Sequence, residues 1–436
     1  MFAIHVHIIY KTDIKSSMKK IILSLMALAT VSAYAQFGAR RNPTVPSSEA
    51  LVEDFKPASN NQSGHQYPEV NSKRQVRAQI SAPNATSVGL DICDTIYSMV
   101  KDENGVWTGI SNPVDVGFHY YQLNIDGANV PDPGSLYYYG AGRWGSAIEI
   151  PSADQDIWEV KNVPQGTMNE TYYWSSVTEK MRHCYIYLPY EYYTNTTKKF
   201  PVLYLMHGMG ENEHGWAEQG HTAQIMDNLI AEKKAVPFII VIDCLDAQIP
   251  GQQGGGMGFG GFGGFGGFGG QRPGGPSADA QAQGQAPQGG QRRGGFGGMA
   301  LTGPFMDVLI KDIIPMVEKN YRVIADSEHR AMAGLSMGGM TTHGVTLANP
   351  TTFAYVGMFS GGTFSVSELE DNADFKKTNK ALFMSCGSKE NMGVMEAAEN
   401  LKKIGINATG YISEGTAHEW HTWRRSLYQF VQICFK

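Results

Sequence analysis

Cysteine is scarce in this chain. There are five in 436 residues (Cys93, Cys184, Cys244, Cys386 and Cys434), an odd number with no CxxC pair. This argues against a disulfide framework and against metal ligation by thiolates. Three of them, Cys184, Cys244 and Cys386, lie inside apolar, strand-like runs and are expected as buried free thiols. Charge is also sparse, at 17% of residues, and nearly balanced: 35 Lys+Arg against 41 Asp+Glu, a net charge of -6. Without a long Lys/Arg run, the chain does not read as a nucleic-acid binder. Beyond one short run near the N-terminus, no stretch is apolar for 18 residues, so no membrane span is expected in the mature chain.

That short run has the form of a secretory leader. Met18-Lys19-Lys20 opens a basic region, residues 21–31 are apolar, and Ala33-Tyr34-Ala35 fits a small-residue cleavage site. The expectation is a signal peptide over 1–35, with Met18 a candidate start and export to the periplasm or medium. Residues 36–75 are polar, without sustained periodicity, and read as a linker or arm. From residue 76 to about 165, short alternating runs (75–80, 87–92, 95–100, 106–109, 117–125, 147–150) are separated by turn signals such as Glu103-Asn104-Gly105 and Asp126-Gly127. They predict a small β-sandwich.

From 166 to 436 the pattern changes. Apolar strand candidates (183–188, 202–206, 238–243, 331–333, 355–359, 381–386, 410–413) alternate with helical ones (222–234, 304–320, 337–347, 395–404, 420–435). Near-continuous apolar strands with helices between them predict a doubly wound α/β domain around a mostly parallel sheet. A glycine-rich tract over 250–300, with Phe-Gly-Gly repeats, interrupts it. Such a composition cannot offset its backbone entropy by burial and predicts a flexible inserted loop.

Gly334-Leu335-Ser336-Met337-Gly338 matches G-x-S-x-G. In a glycine-rich chain the pattern alone is weak. Its context is specific, because a short apolar strand precedes it and a helix-compatible run follows, as a nucleophile elbow requires. Ser336 needs a base and, in this chain order, the base follows an acid. His418 lies in the loop before the last helix, whereas His421 falls one turn inside that helix and reads as a packing or surface residue. Glu390 is the first carboxylate after the 381–386 strand, with Glu396 and Glu414 as competitors. An oxyanion requires two preset N–H donors. The backbone of Met337 supplies one, and Met209, in the glycine-containing loop after 202–206, is the candidate for the other. His207, at the start of that loop, is expected to orient it rather than to bind metal.

Assembled, these pieces resemble a known group. YLMHGMGENEHGW, HRAMAGLSMGGM, FMSCGSKEN and GTAHEWHTWRRSLYQF are similar, in order, to the carbohydrate esterase family 1 / esterase D-like branch of the α/β-hydrolases, which includes feruloyl and acetylxylan esterases. The resemblance implies a serine esterase with Ser336 as nucleophile, His418 as base, Glu390 as the acid (where the family often has Asp), and Met209 and Met337 at the oxyanion. It implies no cofactor and no metal. VRAQISAPNATSVGL, DENGVWTGI and GFHYYQLNIDGANVPDP resemble the early-set, carbohydrate-binding-module-48-like sandwiches that precede such esterases. There Trp107, Tyr137, Tyr138, Tyr139 and Trp144 are either glycan-stacking faces or, as preferred, packing residues. Trp216 and Trp423 are expected as walls of the acyl or glycan site, or as packing residues. The implied substrate is an acyl group on plant cell-wall polysaccharide. An acetylxylan esterase, an enterochelin-type siderophore esterase, acyl transfer to a sugar, and an inactive glycan-binding protein remain as alternatives.

Overall fold

The computed structural model describes residues 51–251 and 299–436. The expected leader, the first part of the arm and nearly all of the glycine-rich tract lie outside the described residues.

Eight strands of the C-terminal part form one sheet. Their order is Thr167–Ser175, Lys180–Leu188, Ile239–Asp243, Val202–Met206, Arg330–Leu335, Tyr355–Phe359, Ala381–Gly387 and Ala408–Ser413. Lys180–Leu188 runs antiparallel to both of its neighbours, and the remaining neighbours run parallel. The period of two divides a fully buried strand between two cores. Leu203 and Leu205 point into a core shared with Phe359, Leu427 and Phe430. Val202, Tyr204 and Met206 point to the opposite face, with Val308, Val317 and Met332. Helices therefore cover both faces, and the fold is that of an α/β-hydrolase. The helix expected over 304–320 is divided by a π-helical turn, Leu309–Ile313. Pro315 has no N–H to donate to the preceding turn, which accounts for the irregular ladder there.

The N-terminal part is a sandwich of two antiparallel sheets. One contains Val76–Ser81 and Val106–Ile110; the other contains Val88–Ile92, Gly117–Ile125 and Arg143–Ile150. Val76, Leu90, Trp107, Leu123 and Ile148 meet between them. The expected arm is corrected here, because its described portion belongs to the sandwich. Lys56–Pro57 pairs with Glu69–Val70, which pairs with Val76–Ser81. Asn60 is buried, its amide donating to Ala147 O at 2.7 Å and accepting from Glu149 N at 3.2 Å. This segment is held by side-chain amides rather than by an apolar stripe, so it carries no hydrophobic period.

The two parts share a core. Phe118 and Ala147 of the sandwich pack in the cluster that holds Trp216, Trp420 and Leu427. The turn of the 137–150 hairpin also touches the hydrolase directly, Gly142 N–H donating to Gly210 O at 2.7 Å.

Candidate active site

Ser336 stands between strand Arg330–Leu335 and helix Met337–Ala348, with φ 51° and ψ −118°. A non-glycine residue in this region carries a strain of about 1–3 kcal/mol. Ser336 N–H donates to Phe359 O at 2.7 Å, and Ser336 O accepts from Met340 N–H at 3.0 Å. The flanking glycines are steric necessities. A Cβ on Gly334 would stand 2.4 Å from the Gly338 carbonyl carbon, and one on Gly338 would stand 2.5 Å from the carbonyl oxygens of Met206 and His207.

Ser336 Oγ lies 2.8 Å from His418 Nε2, and His418 Nδ1 lies 2.7 Å from Glu390 Oε1. The second carboxylate oxygen, Glu390 Oε2, accepts from Gly387 N–H at 2.6 Å and from Ser360 Oγ at 2.7 Å. Burial pushes the Glu390 carboxyl up. The hydrogen bond and charge of His418, with the Gly387 and Ser360 donors, outweigh it and hold the group below its ordinary value. An ionised Glu390 fixes the tautomer with Nε2 toward Ser336, which is the arrangement that lets a hydroxyl be deprotonated as it attacks. The competing carboxylates are elsewhere: Glu396 is exposed on helix Val394–Lys402, and Glu414 is exposed in the loop after Ala408–Ser413.

Met337 is the first residue of the helix that follows Ser336, where N–H groups have no intrahelical partner and the helix dipole favours negative charge. Met209 lies in the loop after Val202–Met206. His207 braces that loop, Nδ1 donating to Gly208 O at 2.7 Å while Nε2 accepts from Leu245 N–H at 2.9 Å. Burial pushes its pKa down, so the imidazole stays neutral in this role.

A family model described as "Putative esterase" matches residues 175–247 and 299–432. An endo-1,4-beta-xylanase/feruloyl esterase of Xylanibacter ruminicola is 40% identical over 395 residues, covering 88% of this chain and 48% of that protein. Over residues 175–247 and 299–432 the chain belongs to this esterase family. Endo-1,4-beta-xylanase Y of Acetivibrio thermocellus is 24% identical over 218 residues, 48% of this chain and 15% of that protein. The chain thus spans at most about half the length of these curated relatives. Among solved structures, an enterochelin esterase from Shigella flexneri shares the fold at 14% identity, covering 88% of this chain and 95% of that one with a TM-score of 0.53.

At its tryptophans the esterase follows the packing alternative. Trp216 is fully buried, its indole N–H bound to Met206 O at 2.9 Å and its ring edge-on to Trp420 and Phe359, so it presents no face to a substrate. Trp423 is also buried. It lies edge-on to His418 at 5.1 Å and donates to Ser360 Oγ at 3.1 Å. Both are packing residues. His421 is buried and bound to Asp154 at 3.1 Å. In the sandwich, Trp107 and Tyr138 pack as preferred, whereas Tyr137 and Trp144 are exposed. Cys184, Cys386 and Cys434 are buried and free; Cys244 is half-buried and Cys93 exposed, both also free.

Two contributors were not anticipated. Ser360 holds the far side of Glu390; it follows strand Tyr355–Phe359, at the same carboxyl end of the parallel strands as Ser336. The other is the sandwich turn at Gly142. A cavity of about 360 Å³ opens beside Met337, lined by Tyr139 of the sandwich and by His183, Glu211, Glu213 and Cys244 of the esterase domain.

Proposed function

We propose that the esterase hydrolyses acyl esters on plant cell-wall polysaccharide, with feruloyl as the preferred acyl group, and that it acts after export. The observation that carries the chemistry is the Ser336–His418–Glu390 relay, with contacts of 2.8 and 2.7 Å. Ser336 Oγ attacks the ester carbonyl while His418 takes its proton. The tetrahedral oxyanion is received by the N–H groups of Met209 and Met337. Collapse expels the sugar alkoxide, which takes the proton from His418 and leaves an acyl-Ser336. A water, deprotonated by His418, then attacks that acyl group and frees the acid and Ser336.

The feruloyl and polysaccharide assignments are supported by the 40% identical relative, an endo-1,4-beta-xylanase/feruloyl esterase. The cavity wall speaks against an anionic catecholate siderophore. Of its two cations, Lys180 and Arg182, Arg182 is already paired with Asp243 at 2.7 Å, and the carboxylates of Glu213 and Asp246 line the same wall. The test is hydrolysis of methyl ferulate and 4-nitrophenyl acetate side by side, with Ser336→Ala as control. Ferulate turnover lost in the control supports the reading. Turnover of acetate alone moves the assignment to deacetylation, and equal activity of Ser336→Ala removes Ser336 as nucleophile.

A further inference from the structure

Behind the loop that carries Met209, two histidines and a glutamate converge on the cavity side of the sheet. His183 comes from strand Lys180–Leu188, while Glu213 and His214 stand at the start of the short helix His214–Ala217. One nitrogen or carboxylate oxygen of each lies within 4.8 Å of the others. In a tetrahedral zinc site, with bonds of about 2.0–2.1 Å, ligand atoms stand roughly 3.4 Å apart. The three groups therefore need only small adjustments to enclose an ion. We propose that His183, Glu213 and His214 form a binding site for a divalent transition-metal ion, Zn²⁺ being the best match to two imidazoles and one carboxylate.

The surroundings fit this ligand. Glu170 Oε1 lies 2.9 Å from His183 Nε2, and Glu218 Oε1 lies 3.3 Å from His214 Nδ1. Tyr185 Oη is 3.2 Å from His214 Nδ1. Carboxylates beside ring nitrogens orient ligating histidines and raise their basicity. Three carboxylates around two imidazoles leave the cluster short of positive charge, which a divalent ion supplies. His183 Nδ1 already lies 2.7 Å from Glu213 Oε1, while Nε2 faces Glu170. His183 and Glu213 also line the cavity beside Met337, so a water can complete the coordination. A bound ion would tie strand Lys180–Leu188 to the end of the Met209 loop and stiffen the oxyanion side of the site.

The test is calorimetric titration of chelator-treated full-length protein with ZnCl₂ at neutral pH, with thermal unfolding in parallel. This readout is binding, so its outcome does not depend on the substrate assignment. One ion per chain at micromolar affinity or tighter is expected, with a rise of several degrees in the unfolding midpoint at saturating Zn²⁺. His214→Ala and Glu213→Gln should each weaken binding at least ~10-fold. His329→Ala, which alters an exposed histidine paired with Asp326, should leave it unchanged. Absence of stoichiometric binding in the wild type overturns the proposal, leaving the cluster as a hydrogen-bonded His183–Glu213 pair. Binding of undiminished strength in both ligand variants overturns it equally.

Discussion

Arg424, on helix Trp420–Val431, closes on Glu149 of the sandwich with two parallel N–H···O bonds of 2.8 and 3.0 Å. The guanidinium is fully buried, its Nε donating to Gln219 O at 2.7 Å and its plane near Trp158. This helix begins two residues after His418 and also carries Trp423 against its ring. The sandwich is therefore part of the scaffold on which the base is held. Glu149→Ala would strand the buried cation, and breaking such a pair costs about 3–5 kcal/mol. The expected result is a clear fall in the urea midpoint. An unchanged midpoint would mean that the pair adds nothing to the joint between the two parts.

The positive φ of Ser336 separates chemistry from strain. Ser336→Ala and Ser336→Gly should both lose esterase turnover by roughly 10⁴-fold or more, since both remove the nucleophile. They should differ in stability. Glycine has no Cβ to strain at this φ, so Ser336→Gly should unfold later than Ser336→Ala by the equivalent of about 1 kcal/mol. Equal midpoints would show that the elbow stores no strain at this residue.

The parallel strands were legible because burial on both faces leaves an unbroken apolar run, as in Val202–Met206 and Tyr355–Phe359, whose bounds match the expectation. The triad partners were legible because chain order and loop position restrict the choice to few residues; His418 meets Ser336, and Glu390 meets His418. Strand Thr167–Ser175 was missed. As an edge strand it is exposed along one side, with Tyr172 and Trp174 in the open, and its polar content masks the pattern. Ser360 and Gly142 were missed for another reason. Their contributions are contacts between segments far apart in sequence, which no local pattern records. Trp216 stood open between two roles, because a large aromatic beside a catalytic loop reads alike whether it lines a pocket or fills a core.

Glu390 links activity to acid stability. Its folded pKa lies below the ordinary 4.5, so the stabilisation is full at higher pH and is lost as pH falls through that lowered value. Glu390→Gln should remove this acid-side slope in unfolding midpoint against pH. It should also lower kcat by roughly 10³–10⁴-fold, because an amide no longer fixes the productive tautomer. Glu390→Asp keeps the charge but withdraws it by one methylene from His418, and should fall between. If Glu390→Gln kept wild-type kcat, the acid would have to be reassigned.

Glu211 gives the opposite slope. It lies in the Met209 loop, where Tyr120 of the sandwich is its neighbour at 3.5 Å, and its Oε2 is buried without a hydrogen-bond partner. Burial, only partly offset by the Gly208 backbone, Trp420 and Tyr120, pushes its pKa up from 4.5 to about 8. Between those values the folded state holds a proton that the unfolded chain has released, so this group costs stability progressively as pH rises from 4.5 to 8. Glu211→Gln mimics the protonated form and removes that cost. The variant and the wild type should unfold at similar temperatures near pH 4.5. Their separation, in favour of the variant, should widen up to pH 8 and then level off. Parallel midpoint curves across that range would mean that Glu211 is ionised in the folded protein and that the loop tolerates its charge.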